Sequence, residues 1–149
     1  MQTKTYKKVY LACEKVHNYE EEPISFTNPS DVADYVRRQI GDRIGVNEFF
    51  YAMFFDVKRH IISYSLISIG GTTATIVEPK IVCKMALDCL AESVIVSHNH
   101  PSGNLSVSAS DINLTSKLKK GLSYFNIDLS DHIIVTEDGY YSMNAEGEL

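Results

Sequence analysis

The sequence predicts a mixed α/β domain in which helices pack on one sheet. Three observations carry that expectation. Segments with apolar residues at helical spacing alternate with short apolar runs rich in β-branched and aromatic residues. Helix start and stop residues bracket the helical segments. The chain has 149 residues, 44% of them hydrophobic and 22% charged, which suits one ordinary globular domain (1–149) with a core.

Each element follows from its residues. TYKKVYLACEKV (5–16) reads as a first strand, and YEEEP (19–23) ends it with charge and proline. NPSDVADYVRRQIG (28–41) reads as a helix. Asn28 caps it, Pro29 suits the first helical position, Asp31 lies in the first turn and Gly41 closes the far end. Val32, Tyr35, Val36 and Ile40 make its apolar face. EFFYAMFFDV (48–57) is nearly all apolar, as a strand buried on both faces must be. A polar turn at 56–59 leads to a second strand, HIISYSLISIGG (60–71). EPKIVCKMALDCLA (78–91) restarts a helix at Pro79, with Ile81, Val82, Met85, Cys89 and Leu90 as the expected buried stripe. SVIVS (93–97) is a short β-branched strand. A third helix is expected over 108–125, a strand over 127–136, a turn at 137–139 and a last strand over 140–143. No internal repeat or low-complexity stretch interrupts this order.

Charge and cysteine usage narrow the function. A formal net charge of -5 argues against broad, charge-driven binding of nucleic acid. Lys117, Lys119 and Lys120 are the one tight basic cluster of the second half, and they fall where cations favour a helix dipole. Cys13, Cys83 and Cys89 are too scattered for a disulfide scaffold and read as small apolar residues in a reducing compartment. The opening MQTKTYKKVY has no apolar core of a leader, and no run of about 18 apolar residues exists to span a membrane, so a cytoplasmic protein is expected.

The chemistry concentrates in VSHNHPSGN (96–104), where a buried strand gives way to a helix. Sites gather at such strand ends in α/β folds. Residues two apart on a strand share a face, so His98 and His100 can chelate one divalent ion if strand geometry persists to His100. Asp111, in the first turn of the next helix, can point back at them. Two histidines and a carboxylate leave an open position on tetrahedral zinc, as catalytic sites require. Ser108-x-x-Asp111 is equally a helix capping box, so the Asp111 carboxylate has two readings. A phosphate loop is excluded because Gly103 is the only glycine there and no G-K-[ST] follows. A zinc deaminase would need H-x-E and P-C-x-x-C, which do not occur.

The pattern H-x-H, seven residues, S-x-x-D resembles the JAMM motif of the JAB1/MPN metalloprotease superfamily. HNHPSGN, DHIIVTEDGYYS and NEFFYAMFFD resemble the RadC branch of that superfamily, over roughly residues 28–144. The resemblance implies a single curved, mixed sheet flanked by helices, related to the cytidine deaminase fold, with a metal-site core over 47–144 behind an N-terminal strand and helix (1–46). It implies zinc held by His98, His100 and Asp111, with water as fourth ligand. Glu48 matches the general base, and Glu78, at a helix start, is the second candidate. Ser108 would stabilise the oxyanion. The implied reaction is hydrolysis of a peptide or isopeptide bond in a protein substrate of unknown identity.

His132 matches a position common in the RadC branch and is either an orienting partner of a ligand or a hydrogen-bonded strand histidine. Asn99, Pro101, Ser102 and Gly103 are expected to shape the loop, Gly103 with positive φ. His17 and His60 fall in surface turns. Val107 stands where relatives often carry proline. Longer RadC relatives carry a DNA-binding helix-hairpin-helix region, which the 47 residues before Glu48 are not expected to hold. A DNA-repair or mobile-element role near nucleic acid is therefore the alternative, and a non-catalytic interaction module the third. An open sheet edge could pair with a second copy or an extended peptide.

Overall fold

Five strands make one sheet in the order β2-β1-β3-β4-β5 in the computed structural model, which describes residue 26 and residues 28–71 and 75–149. The strand expected at 5–16, with Cys13, and His17 lie outside the described residues. The elements are α1 (Pro29–Ile40), β1 (Phe49–Phe55), β2 (Ile61–Ile69), α2 (Pro79–Asp88), β3 (Ser93–Asn99), α3 (Ala109–Ser123), β4 (Asp128–Val135) and β5 (Tyr140–Ser142). A single 3-10 turn, Gly41–Arg43, follows α1. Neighbouring strands are antiparallel except β3 and β4, which run parallel with α3 as their crossover.

β1 is apolar throughout because it lies between two strands and under helices on both faces. Phe50, Ala52 and Phe54 pack with Val94, Val96 and Leu129 against Val82 and Ala86 of α2 and Leu118 and Leu122 of α3. The alternate residues Phe49, Tyr51, Met53 and Phe55 pack against Val32, Tyr35, Val36 and Ile40 of α1. The face expected for α1 is thus the buried one, and Asn28 and Asp31 form its capping box. β2 is a sheet edge among the described strands, and its Tyr64, Leu66 and Ile69 are exposed.

Two expectations need correcting. In α2 the fully buried positions are Val82 and Ala86, whereas Ile81 is 39% and Leu90 71% exposed. The helix stops at Asp88, and Leu90 turns out of it with a φ of 54°. Met85 and Cys89 pack on the core only in part, as does Cys83. The second correction is that β3 runs two residues past 97. His98 pairs with Phe50 and Ile134, and Asn99 pairs with Val135, so polar side chains continue the ladder. That extension builds the site.

Candidate metal centre

His98 and His100 share one side of the β3 end. The backbone N–H of His100 donates to the carbonyl of Val135 at 3.0 Å, which carries extended geometry one residue beyond the strand. The two Nε2 atoms lie 2.9 Å apart. The antiparallel register sets Phe50 opposite His98, with their rings stacked at 6.0 Å and 14°. Two residues back along β1 is Glu48, on the face that Phe50 presents. Its N–H donates to the carbonyl of Gly71, and its carbonyl accepts from the N–H of Gly70, so the ladder with the β2 side reaches Glu48. Glu48 is buried, and its carboxylate has no hydrogen bond or ion pair among the described residues.

The N-terminus of α3 supplies the third group. Ser108 caps the helix, its hydroxyl accepting from the N–H of Asp111 at 3.1 Å. The same hydroxyl donates to Asp111 Oδ2 at 2.6 Å, and the Ser108 N–H donates to that oxygen at 2.8 Å. The carboxylate so held lies 3.2 Å from His98 Nε2 through Oδ1 and 3.7 Å from His100 Nε2 through Oδ2. Burial pushes the Asp111 carboxyl up, but His98 and the hydrogen bonds from Ser108 outweigh it and hold the group well below the usual carboxylate range. The capping box and the approach to the histidines are therefore both present.

Whether these residues suit a metal is decided by what their atoms offer. His100 Nδ1 lies 2.6 Å from the carbonyl of Asn104. A carbonyl only accepts, so Nδ1 carries a proton and Nε2 is the nitrogen left to offer a lone pair inward. One ligand atom from each of His98, His100 and Asp111 lies within 4.8 Å of the others. Lone pairs converging at that spacing want a shared cation, and a set of two imidazoles and one carboxylate suits zinc. Gly103, with a φ of 79°, closes the turn by donating its N–H to the carbonyl of His100.

Behind the histidines stands a buried row that includes a residue sequence reasoning did not single out. His98 Nδ1 lies 2.8 Å from His132 Nε2, and His132 Nδ1 lies 2.6 Å from the Thr115 hydroxyl. His132 is fully buried, and desolvation lowers its pKa well below the usual histidine range, helped by His98. Thr115 carried a signal only in its place four residues after Asp111, one helical turn along α3. Asn99 was expected to shape the loop, and it does so by reaching across the sheet. Its Oδ1 accepts from the Phe49 N–H at 2.8 Å, and its Nδ2 donates to the carbonyls of Ile44 and Asn47 at 2.7 and 2.8 Å. The peptide groups on either side of Glu48 are thereby tied to the strand that bears the histidines.

A cleft of about 450 Å³ opens over this cluster, lined among others by Glu48, Phe50, His98, His100, Ser108 and Asp111. No lysine or arginine is among its described lining residues. Val107 also lines it, and α3 starts with its cap intact despite the missing proline. Glu78 stands elsewhere, at the start of α2, with its carboxylate 2.6 Å from Lys80. Lys117, Lys119 and Lys120 are exposed on α3 and outside the cleft. His60 sits in an exposed turn beside Asp56. No helix among the described residues is long and apolar enough to cross a membrane.

Comparison with known proteins agrees with this geometry. Residues 26–148 match the family of RadC-like JAB domains. A UPF0758 protein of Carboxydothermus hydrogenoformans is 36% identical over 126 residues, covering 85% of this chain and 55% of its own. One from Methanosarcina mazei is 36% identical over 140 residues, covering 93% of this chain and 60% of its own. A third, from Aquifex aeolicus, is 30% identical over 126 residues, with 85% and 53% covered. The chain thus spans little more than half the length of these relatives.

Proposed function

The chain belongs to the family of RadC-like JAB domains, and on that premise we propose that it is a zinc-dependent hydrolase of peptide or isopeptide bonds. One observation carries the reading. The His98, His100 and Asp111 ligand atoms converge within 4.8 Å, and Glu48, whose carboxylate has no partner among the described residues, lines the same cleft. Zinc held there would polarise a carbonyl and lower the pKa of a bound water to about 7.

The residues divide the remaining work. His98, His100 and Asp111 would hold the metal. Glu48 accepts the proton of the attacking water and returns it to the departing amine, which is general base and then general acid action by one carboxylate. Phe50 and Leu114 supply an apolar part of the same lining. Ser108 orients Asp111 through its capping bonds. To donate to a developing oxyanion its hydroxyl must first leave Asp111 Oδ2. The described lining holds no lysine or arginine to bind the charge of a phosphodiester, which favours a neutral amide.

The test begins with metal content by mass spectrometry on untagged protein, beside the His98→Ala, His100→Ala double variant. Near-stoichiometric zinc in the unaltered chain and none in the variant is expected. Glu48→Gln should keep its zinc and lose cleavage of a peptide or isopeptide library. No metal in the unaltered chain after zinc is added back would refute the reading, and full activity in Glu48→Gln would refute the role of Glu48.

A further inference from the structure

We propose that Thr115, acting through His132, fixes which nitrogen of His98 carries its proton, and that this pair is a positioning device for the metal site. The inference rests on the zinc reading only for its consequence, since the proton assignment concerns the chain itself.

The argument is an ordering of donors and acceptors from the outside inward. The Thr115 hydroxyl has one proton. It lies 2.6 Å from the backbone carbonyl of Asp111, one turn earlier in α3. That carbonyl cannot donate, so the hydroxyl proton goes to it, a bond threonine commonly makes inside helices. The hydroxyl oxygen is then an acceptor toward His132 Nδ1 at 2.6 Å, and His132 must carry its proton on Nδ1. A neutral ring protonated at Nδ1 offers a bare Nε2. That atom lies 2.8 Å from His98 Nδ1, which must therefore be the donor. With a proton held on Nδ1, Nε2 is the His98 nitrogen that faces His100 and Asp111 and can give its lone pair to a metal.

His98 thus reaches the same state as His100 by another route. His100 is set directly by the Asn104 carbonyl, whereas His98 is too deep for a loop to reach and is set by a second imidazole. An imidazole can accept or donate at either nitrogen, so the pair of rings has two self-consistent arrangements. In the other one, His98 would present an N–H to the metal position and could not bind it. Asp111 Oδ1, 3.2 Å from His98 Nε2, favours that other arrangement, and the anchor beyond His132 that favours the first is the Thr115 hydroxyl. The Asp111 carbonyl that receives its proton belongs to the residue supplying the carboxylate. One hydroxyl therefore ties the inner histidine to the helix turn that bears the third ligand.

The experiment compares the unaltered chain with Thr115→Val, which keeps the shape and removes the hydroxyl, and Thr115→Ser, which keeps the hydroxyl. Long-range proton–nitrogen NMR on histidine-labelled protein reads the ring protons, with and without zinc. Competition against a chromophoric chelator reads the affinity for zinc alone. The unaltered chain and Thr115→Ser should both show His132 protonated at Nδ1. Thr115→Val should move that proton to Nε2 and weaken zinc binding by about 10- to 100-fold, the usual effect of losing a residue that orients a ligand. His132 protonated at Nε2 in the unaltered chain would overturn the assignment even if zinc binds well. Unchanged ring protons and affinity in Thr115→Val would overturn it too, as would equal impairment in Thr115→Ser. If the unaltered chain shows the expected ring protons but binds no zinc, the zinc reading fails, and with it the consequence for affinity, while the proton assignment is upheld.

Discussion

Asn99→Leu isolates the link between the histidine strand and Glu48. Leucine shares the branched outline of asparagine but is larger and has none of its polar atoms, so three hydrogen bonds of 2.7 to 2.8 Å are lost and any overpacking adds to the cost. A net contribution of about 1 kcal/mol for each bond gives about 3 kcal/mol. The Phe49 N–H is left inside a strand whose seven residues are all buried, and an unsatisfied buried donor costs a further ~1–2 kcal/mol. The Ile44 carbonyl is nearer solvent, since Ile44 and Gly45 line a shallow surface pocket, and water can reach it. The expected loss is therefore about 4 kcal/mol, a large share of the stability of a domain this size. Equilibrium urea unfolding of metal-free protein measures it, with an unchanged m-value as the control for compactness. Hydrogen exchange should show the Phe49 amide losing protection selectively. A loss under about 1 kcal/mol, or a Phe49 amide as protected as before, would refute the reasoning, because the clamp on Glu48 would then be redundant.

Three further outcomes follow from the same geometry. Ser108→Ala removes the cap of α3 and should cost about 1 kcal/mol by urea unfolding, and a cost below roughly 0.3 kcal/mol would mean that the cap is idle. Gly103→Ala meets no atom within 4 Å of its new Cβ but must hold a φ of 79°, so it should cost about 1 kcal/mol through backbone strain alone. Asp131 is buried, and desolvation raises its pKa against the hydrogen bonds from Ser142, Asn144 and His132. A carboxyl whose folded pKa is raised contributes stability below its unfolded pKa and loses it as pH rises through the folded value. Asp131→Asn should therefore remove a decline in stability that begins near the ordinary carboxylate range on the way to neutral pH. An unchanged pH profile would show that Asp131 is not its source.

Much of the fold could be read from residues because its signals were local. The unbroken apolar run of β1 required a central strand, and the Asn28, Pro29, Asp31 set marked the start of α1 to the residue. Errors arose where a local signal met a tertiary constraint. Leu90 looked like the next position of a helical stripe, but α2 ends at Asp88 and the chain turns away through a left-handed residue. The strand was expected to end at 97, yet His98 pairs with Phe50 and Ile134 and Asn99 with Val135, because neighbouring strands carry the ladder on under polar side chains. Thr115 and His132 could not be linked from sequence at all. Their bond exists only because α3 crosses back to lay β4 parallel to β3.

The spacing of the candidate site residues follows from the sheet. The register pairs Phe50 with His98, so their numbers sum to that of every other opposed pair on these two strands, and Glu48 falls opposite His100 when the same register is carried two residues further. A strand side chain reaches only the face it points to, so Glu48, Phe50, His98 and His100 all face the helix layer that carries Asp111. Asn99, with the opposite parity, faces away and ties down the backbone on each side of Glu48. A slip of one residue between β1 and β3 would put Glu48 on the face opposite to His98 and His100. The same register that buries Phe50 in the core therefore sets the distance from Glu48 to the histidines. Changes that loosen the core beside Phe50 should reach the site through that register before they reach the ligands themselves.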